Sequence, residues 1–554
     1  MRVLLLNPPL LTDSSTSDLV VNAPLISGLL AGYVGASLKR AGVEVSILDA
    51  ELAGLDLGET RELLLSGDFN LLGVHLKFMW DRTAEIMALL KSIKKEKPGV
   101  HLSLFGHYPT FAWEELLSQF AFVDSAVLGE PEMTFAELAC RLAGRCSRPW
   151  RDTEGLAVNG PGGPVKNPPR PPVDNLDSLP FPLRDPELTT RRRQPNYILG
   201  SRGCFGHCTF CYLNPFFGKG AVWRGRSPEN IAAEMAEVYR ATNNPSFYFA
   251  DANFFGPGEM GRRRSLELAE RLKKLAFPLV FGLECRSSDV EEEVFSSLVE
   301  AGLREVFLGV ESGVQGALDR FQKGTTVTQN ERAIHLLRRL GVNISLGFIL
   351  FDPGTTLEEI KENLNFLRRL DLLDSPSTTA HLFFHRQVVL RGTPAFKRML
   401  AEGLLQPVGF TAYEGRYVLA DSRAEAVAGV MGRISRRVLS VTRGEDLFFA
   451  GERGVEGGTS VQDGGIACAG AGGGDSAGDS SGLGCRGRGE YPPLVGERRV
   501  LYGRLNLFLQ EFLFRLLDAA AKGELNLGTV DQFVRDGEEE IEKIIAPEQG
   551  AGEF

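Results

Sequence analysis

Three cysteines, Cys204, Cys208 and Cys211, stand four and three residues apart in Cys204-Phe-Gly-His-Cys208-Thr-Phe-Cys211, directly after a short apolar run. Thiolates are soft ligands that hold zinc or iron–sulfur clusters. A closed structural zinc site takes four protein ligands, and no fourth cysteine follows nearby. His207 offers a nitrogen, but as the immediate neighbour of Cys208 it is badly placed for the same metal. A cubic [4Fe–4S] cluster on three cysteines leaves one iron open to an exogenous ligand, which is a catalytic arrangement. The bland alternative is a disulfide pair or a set of buried thiols.

The elements that must position these sulfurs can be read on either side of them. Apolar runs at 196–200, 246–250, 279–284, 305–310, 343–350 and 380–390 alternate with helical patterns at 228–240, 262–274, 289–300, 327–339 and 356–369. Six such units predict a partial (β/α)6 barrel, open on one side, with its chemistry at the carboxyl ends of the strands. A turn with a capping box at 352–358 marks one helix start. Upstream, strands at 3–6, 45–48, 71–74, 102–105 and 122–128 alternate with helices at 26–39, 82–94, 112–119 and 133–143, which predicts a doubly wound, mostly parallel, Rossmann-like sheet. Ligands of such sheets sit outside the carboxyl ends of the strands. The loops there are Asn7-Pro8-Pro9, Gly106-His107-Tyr108-Pro-Thr110 and Gly129-Glu130-Pro-Glu-Met-Thr-Phe135. None carries Gly-x-Gly-x-x-Gly, which disfavours a dinucleotide. A purely structural flavodoxin-like domain is the plain alternative.

These patterns divide the chain into an α/β domain at 1–148, a Pro/Gly-rich extended linker at 149–194, the barrel at 195–395 and a mostly helical carboxyl-terminal region at 396–554. That last region includes a glycine-rich segment at about 451–487, whose composition buries too little apolar area to order itself. Cys468 and Cys485 sit in or beside it and read as plain thiols. Beyond it, Phe508, Phe512 and Leu516 recur four apart on an apolar helix, followed by a more polar one at 528–545; both are expected to close the open side of the barrel.

At 554 residues the chain exceeds one ordinary core. A net charge of −10 with no long basic block argues against a sequence-independent nucleic-acid binder. No stretch of 18 apolar residues predicts a membrane span, and the amino-terminal run turns polar too soon for a signal peptide. Of eight cysteines, the five outside the motif (Cys140, Cys146, Cys285, Cys468 and Cys485) are scattered and propose no disulfide framework. A reducing cytoplasm is the expected location.

The cysteine spacing, with Phe210 before the last cysteine, resembles the radical S-adenosylmethionine (SAM) superfamily. The loops of the first domain resemble the cobalamin-binding domain of its B12-dependent members, the class B-type radical SAM methyltransferases. That resemblance rests on Asn7, Pro8, Pro9, Thr110, Gly129, Glu130, Glu132, Thr134 and Phe135, with Gly106, His107 and Tyr108 as further contacts. It departs at Phe105–Tyr108, where a second glycine and a later histidine are usual. The Asp-x-His-x-x-Gly motif that supplies an axial histidine to other cobalamin proteins is missing. This implies cobalamin without a protein imidazole on cobalt, although His75 and His107 are conceivable ligands.

For the barrel the resemblance implies that SAM chelates the open iron and is cleaved to a 5′-deoxyadenosyl radical. Asp251 or Asn253 would take its ammonium group. Glu284 and Arg286 would serve its ribose and carboxylate, an Arg fork suiting a carboxylate. Glu311, Ser312 and Lys323 would lie beside them, and Ile349 would flank adenine. For each charged group the alternative is a solvated or salt-bridged loop residue. A flavodoxin or ferredoxin would supply the electron. The expected function is methylation of an unactivated carbon in a small natural product or biosynthetic intermediate through methylcobalamin. The alternatives are an oxidative cyclase or rearrangement enzyme with the same cofactors, and a non-catalytic cobalamin- or SAM-binding sensor.

Overall fold

The computed structural model describes residues 1–9, 27–77, 83–191, 194–218, 223–406, 414–442 and 497–546. The glycine-rich segment, Cys468 and Cys485 lie outside the described residues.

The first sheet contains β1 (Arg2–Asn7), β2 (Glu44–Asp49), β3 (Leu71–His75), β4 (His101–Phe105) and β5 (Ser125–Val127), followed by β6 (Leu156–Gly160) and β7 (Gly163–Lys166). Their spatial order is β2-β1-β3-β4-β5-β6-β7, with β1 to β5 all parallel. Strands β3 and β4 are buried on both faces because helices cover both sides. Helices Ser27–Arg40 and Glu132–Leu142 pack on one face with Val3, Leu5 and Phe135, while Thr83–Glu96 and His107–Gln119 pack on the other with Leu72, Val74 and Leu104. The helix expected at 112–119 begins at His107, with a kink at Ala112 that masks its periodicity.

Part of the stretch expected to be an irregular linker is instead sheet. Strands β6 and β7 form an antiparallel hairpin on the edge of β5. Leu156, Ala157 and Val158 are buried there, and the run of glycine and proline at 160–163 is only the two-residue turn and its flanks.

Residues 196–348 supply β8 (Asn196–Ile198), β9 (Ser201–Arg202), β10 (Arg224–Gly225), β11 (Ser246–Phe249), β12 (Val280–Arg286), β13 (Leu303–Glu311) and β14 (Asn343–Phe348). Five of them form one parallel sheet in the order β14-β13-β12-β11-β8, and β9 pairs only with β10. Ile198, Phe247, Phe249, Leu283, Val306 and Leu308 face the helices in a single core. The alternate residues Tyr197, Tyr248, Glu284, Glu305 and Phe307 face the opposite, lumenal side.

The sixth strand expected at 380–390 is not formed. Ser375 caps a helix over Pro376–Phe384, its hydroxyl oxygen accepting from the Thr378 N–H, with proline at its first turn. Apolar Ala380, Leu382, Phe383 and Phe384 then pack into the core shared with helices Ser422–Thr442 and Glu497–Ala521. Tertiary packing overrides the strand-like composition. Beyond the helix, one parallel bridge, Phe351 with Arg386, occupies the place of the sixth strand. The carboxyl-terminal helices, including Val530–Ile545, thus stand against the edge of the open barrel.

Candidate active site

The cysteine loop leaves β9 and is anchored at Thr209 through both its amide and its carbonyl. Thr209 N–H donates to the Phe321 carbonyl at 2.8 Å, and Ala395 N–H donates to the Thr209 carbonyl at 2.9 Å. Phe210 packs with Val314, Ala317, Phe321 and Ile349, so the aromatic of the motif is an anchor between the loop and the end of β14. All three motif cysteines are free thiols. Burial, then the neighbouring Cys208 sulfur, pushes the Cys211 thiol up to about 12.

Among the described residues, no three His, Cys, Asp or Glu side chains converge tightly enough to chelate one metal ion. A cluster asks for a different arrangement, because each cysteine binds its own iron at a separate corner. The donors around the sulfurs fit this. Gly206 N–H approaches Cys204 Sγ at 3.3 Å, Asn253 Nδ2 approaches the same sulfur at 3.7 Å, and Arg286 Nη1 approaches Cys208 Sγ at 3.5 Å. Burial opposes the charge on Arg286, yet the Cys208 and Cys204 sulfurs hold its pKa above the ordinary value.

The strand-end residues divide into groups that face this centre and groups committed elsewhere. Asn253 is fully buried and its Oδ1 makes no hydrogen bond, leaving an acceptor beside Cys204. Asp251 is already used: Gly200 N–H donates to Oδ2 at 2.8 Å and the Ser201 hydroxyl donates to Oδ1. Burial nevertheless pushes its pKa up to about 6. Of the two acceptors expected for an ammonium group, Asn253 is therefore the open one. Glu284 keeps partial solvent access on the lumenal side, while burial and then the charge of Asp251 push its pKa up to about 8.

Lys323 Nζ donates to Glu311 Oε1 at 2.8 Å. Glu311 holds φ at 64° where the register of β13 and β14 shifts, a strained conformation for a non-glycine residue at a strand end. A Cβ at Gly309 would stand 2.8 Å from Lys323 Nζ, so glycine makes room for this ion pair. Ser312 does not face the centre. Its hydroxyl donates to Asn363 Oδ1 at 3.0 Å and accepts from Val314 N–H, which locks the loop. Ile349 N–H donates to the Glu311 carbonyl, putting the two strand ends side by side.

On the first sheet, the loops at the carboxyl edge are linked to one another. Asn7 Nδ2 donates to Asp49 Oδ2 at 2.9 Å, and Asn7 Oδ1 lies 3.1 Å from His75 Nδ1. Gly106, at φ 109°, starts the helix that carries His107 and Tyr108. Thr110 Oγ1 donates to the Gly106 carbonyl and accepts from Gly129 N–H at 3.1 Å. Pro8, Pro9 and Tyr108 are buried against this edge. The His107 ring packs on Tyr212 and Phe216, at centroid distances of 4.9 and 4.3 Å, and burial lowers its pKa to about 3. Since Tyr212 follows Cys211, the carboxyl edge of the first sheet meets the cysteine loop of the second.

Glu130 lies outside that group, although the sequence places it with the loop contacts. Its carboxylate pairs with Arg202 at 3.3 Å and Arg224 at 2.7 Å and accepts from Val173 N–H at 2.8 Å. Arg202 Nη2 also reaches Glu132 Oε1 at 2.6 Å, and its guanidinium stacks over Tyr33. Arg202 leads into the cysteine loop, so these groups clasp the two domains.

Sequence reasoning did not single out His385 or Gln387. Leu350 and Phe351 N–H donate to the His385 carbonyl, and Val388 and Leu390 pack into the core of the first domain. The segment 385–395 therefore runs from the end of β14, past the first domain, to Thr209. His385 is 5% exposed, its Nδ1 makes no hydrogen bond, and burial lowers its pKa to about 4. No motif marks these residues; only the fold joins them to the end of β14.

Residues 198–367 match the model of the Radical SAM superfamily, so the chain carries a radical SAM domain. An uncharacterized methyltransferase of Pyrococcus horikoshii is 26% identical over 74% of this chain and 86% of its own. An anaerobic magnesium-protoporphyrin IX monomethyl ester cyclase of Rubrivivax gelatinosus is 27% identical over 66% of each chain. Among solved structures, the cobalamin-dependent SAM radical enzyme OxsB, with aqua-cobalamin and SAM bound, superposes with a TM-score of 0.65 at 21% identity. That match covers 80% of this chain and 70% of OxsB. The fold, a Rossmann-like domain before the barrel and helices after it, is that of the cobalamin-dependent radical SAM enzymes. Among the described residues no helix is long and apolar enough to cross a membrane.

Proposed function

We propose that this protein is a cobalamin-dependent radical SAM enzyme that transforms a small molecule by abstracting a hydrogen atom, with oxidative cyclisation or rearrangement as the net reaction. The observation that carries the cofactor assignment is the meeting of the two carboxyl edges, His107 against Tyr212 and Phe216, one and five residues beyond the last cysteine. When bound, the three groups would supply one-electron chemistry: a [4Fe–4S] cluster and SAM as the source of a 5′-deoxyadenosyl radical, and cobalamin as a second redox group.

Cys204, Cys208 and Cys211 hold the cluster, and Asn253 Oδ1 receives the SAM ammonium group. The Lys323–Glu311 ion pair sets a fixed dipole at the neighbouring strand end. Glu284, protonated near neutral pH, donates or accepts a hydrogen bond without placing a full charge in the lumen. Asn7, Gly106, Thr110 and Gly129 shape the cobalamin edge. Asn7 orients His75 through Nδ1, and the rings of Tyr212 and Phe216 enclose His107. Segment 385–395 ties the end of β14 to the first domain and to Thr209 of the cysteine loop. No dyad of general base and acid is required for a hydrogen-atom transfer, and the side chains serve to position the reacting C–H.

The cyclase of Rubrivivax gelatinosus supports a net reaction without methyl transfer. Methyl transfer is the second reading, favoured by the longer match to the Pyrococcus horikoshii methyltransferase. Incubation with methyl-labelled SAM, a reductant and candidate acceptors separates them. Deoxyadenosine without S-adenosylhomocysteine, and an acceptor that gains no label, is the result expected. Labelled acceptor with equal S-adenosylhomocysteine would establish methyl transfer instead.

A further inference from the structure

Arg286 ends β12 with its guanidinium seated rather than free. Nη1 donates to Cys208 Sγ at 3.5 Å, and Nη2 donates to the Lys323 carbonyl oxygen. The acceptor is itself held, because Lys323 N–H donates to the Leu318 carbonyl at 3.0 Å and Lys323 Nζ is paired with Glu311. The loop carrying it is joined to the cysteine loop through Thr209 and Phe321. Gly206 forms the other side of the seat: a Cβ there would overlap Nη1 and stand 3.4 Å from Cys204 Sγ. A glycine in the cysteine loop, a carbonyl and a sulfur thus define one position for a planar fork, and a flexible ammonium would not fill it.

We propose that Arg286 is a redox-tuning residue, donating a charge-assisted hydrogen bond to the Cys208 thiolate and raising the reduction potential of the cluster it ligates. This rests on the cluster assigned above and changes the role of Arg286 from a clamp on the SAM carboxylate. The step concerned is uptake of one electron from an external low-potential donor, with no bond or proton change at Arg286. Reduction adds negative charge to the cluster and its sulfurs. A fixed cation and a hydrogen bond at one sulfur stabilise the reduced form more than the oxidised form.

The test is a redox titration of the full chain, reconstituted anaerobically without SAM and followed by electron paramagnetic resonance. Arg286→Gln should lower the midpoint by at least a tenfold change in the reduced-to-oxidised ratio, about 59 mV for one electron. Arg286→Lys, which retains charge but not the fork, should fall between Arg286→Gln and wild type. Gly206→Ala keeps the guanidinium but displaces it, and should shift the midpoint in the same direction. An unchanged midpoint in Arg286→Gln, with weakened SAM binding, would overturn the proposal and restore the carboxylate clamp. A wild-type chain that takes up no cluster would instead sink the functional reading on which the proposal stands.

Discussion

Cys211 is half-buried beside the other motif cysteines, and its thiol proton is held up to about 12 by desolvation and then by Cys208. Cluster binding must displace that proton, so loading should release protons and be favoured by rising pH. Replacing Cys211 by alanine should abolish the visible absorbance of a reconstituted cluster and reduce deoxyadenosine formation to background, measured by spectrophotometry and mass spectrometry; an intact cluster spectrum would contradict the ligand assignment. Glu284 gives a second prediction at this scale. Its pKa rises from an ordinary 4.5 to about 8 in the folded chain. Between those values the native state holds a proton that the unfolded chain has released. Its stabilising contribution is therefore fullest below pH 4.5, declines as pH rises to about 8 and is flat beyond. Glu284→Gln should gain stability relative to wild type across that window, as read by urea unfolding at several pH values. A pH-independent difference would show that the carboxyl is not desolvated.

At the scale of elements, the strand ends that carry the site were legible because buried parallel strands announce themselves as short apolar runs, and the polar residues follow them directly. The cysteines stood out by their spacing, and Asn253, Arg286 and Glu311 were expected from the family resemblance at the strand ends. Ser312 and Glu130 were read into the site because sequence shows a polar residue at a loop but not which way it points; Asn363 and Arg202 decide that. The hairpin β6–β7 was hidden by a proline- and glycine-rich turn, and the helix Pro376–Phe384 by phenylalanines that suit a strand until other helices cover them. Gly106 shows how an element fixes a loop. At φ 109°, a Cβ would lie 2.6 Å from the Leu76 carbonyl oxygen and 2.7 Å from the His75 ring. Gly106→Ala should destabilise the first domain by about 1–3 kcal/mol and reduce cobalamin retention after gel filtration. An unchanged melting temperature would mean that the helix start relaxes freely.

For the whole molecule, the functional space is defined by two domains held at one angle. Arg202 joins Glu132 and Glu130 from the first domain to the strand that opens the cysteine loop. Both partners of the Arg202–Glu132 pair are buried, and removing Glu132 leaves Arg202 only Glu130, which Arg224 shares. Glu132→Ala should cost about 1–3 kcal/mol in chemical denaturation, with little relief from added salt because buried pairs are poorly screened. A loss below about 1 kcal/mol would place the clasp among ordinary surface pairs.

The measurement closest to the central claim is anaerobic reconstitution with iron, sulfide and cobalamin, followed by reduction in the presence of SAM. The account predicts about four irons per chain, retained cobalamin and deoxyadenosine formation that requires Cys204, Cys208 and Cys211 together. A chain that holds cobalamin and SAM but never cleaves SAM under reduction would contradict it, and would make this fold a binding protein rather than an enzyme.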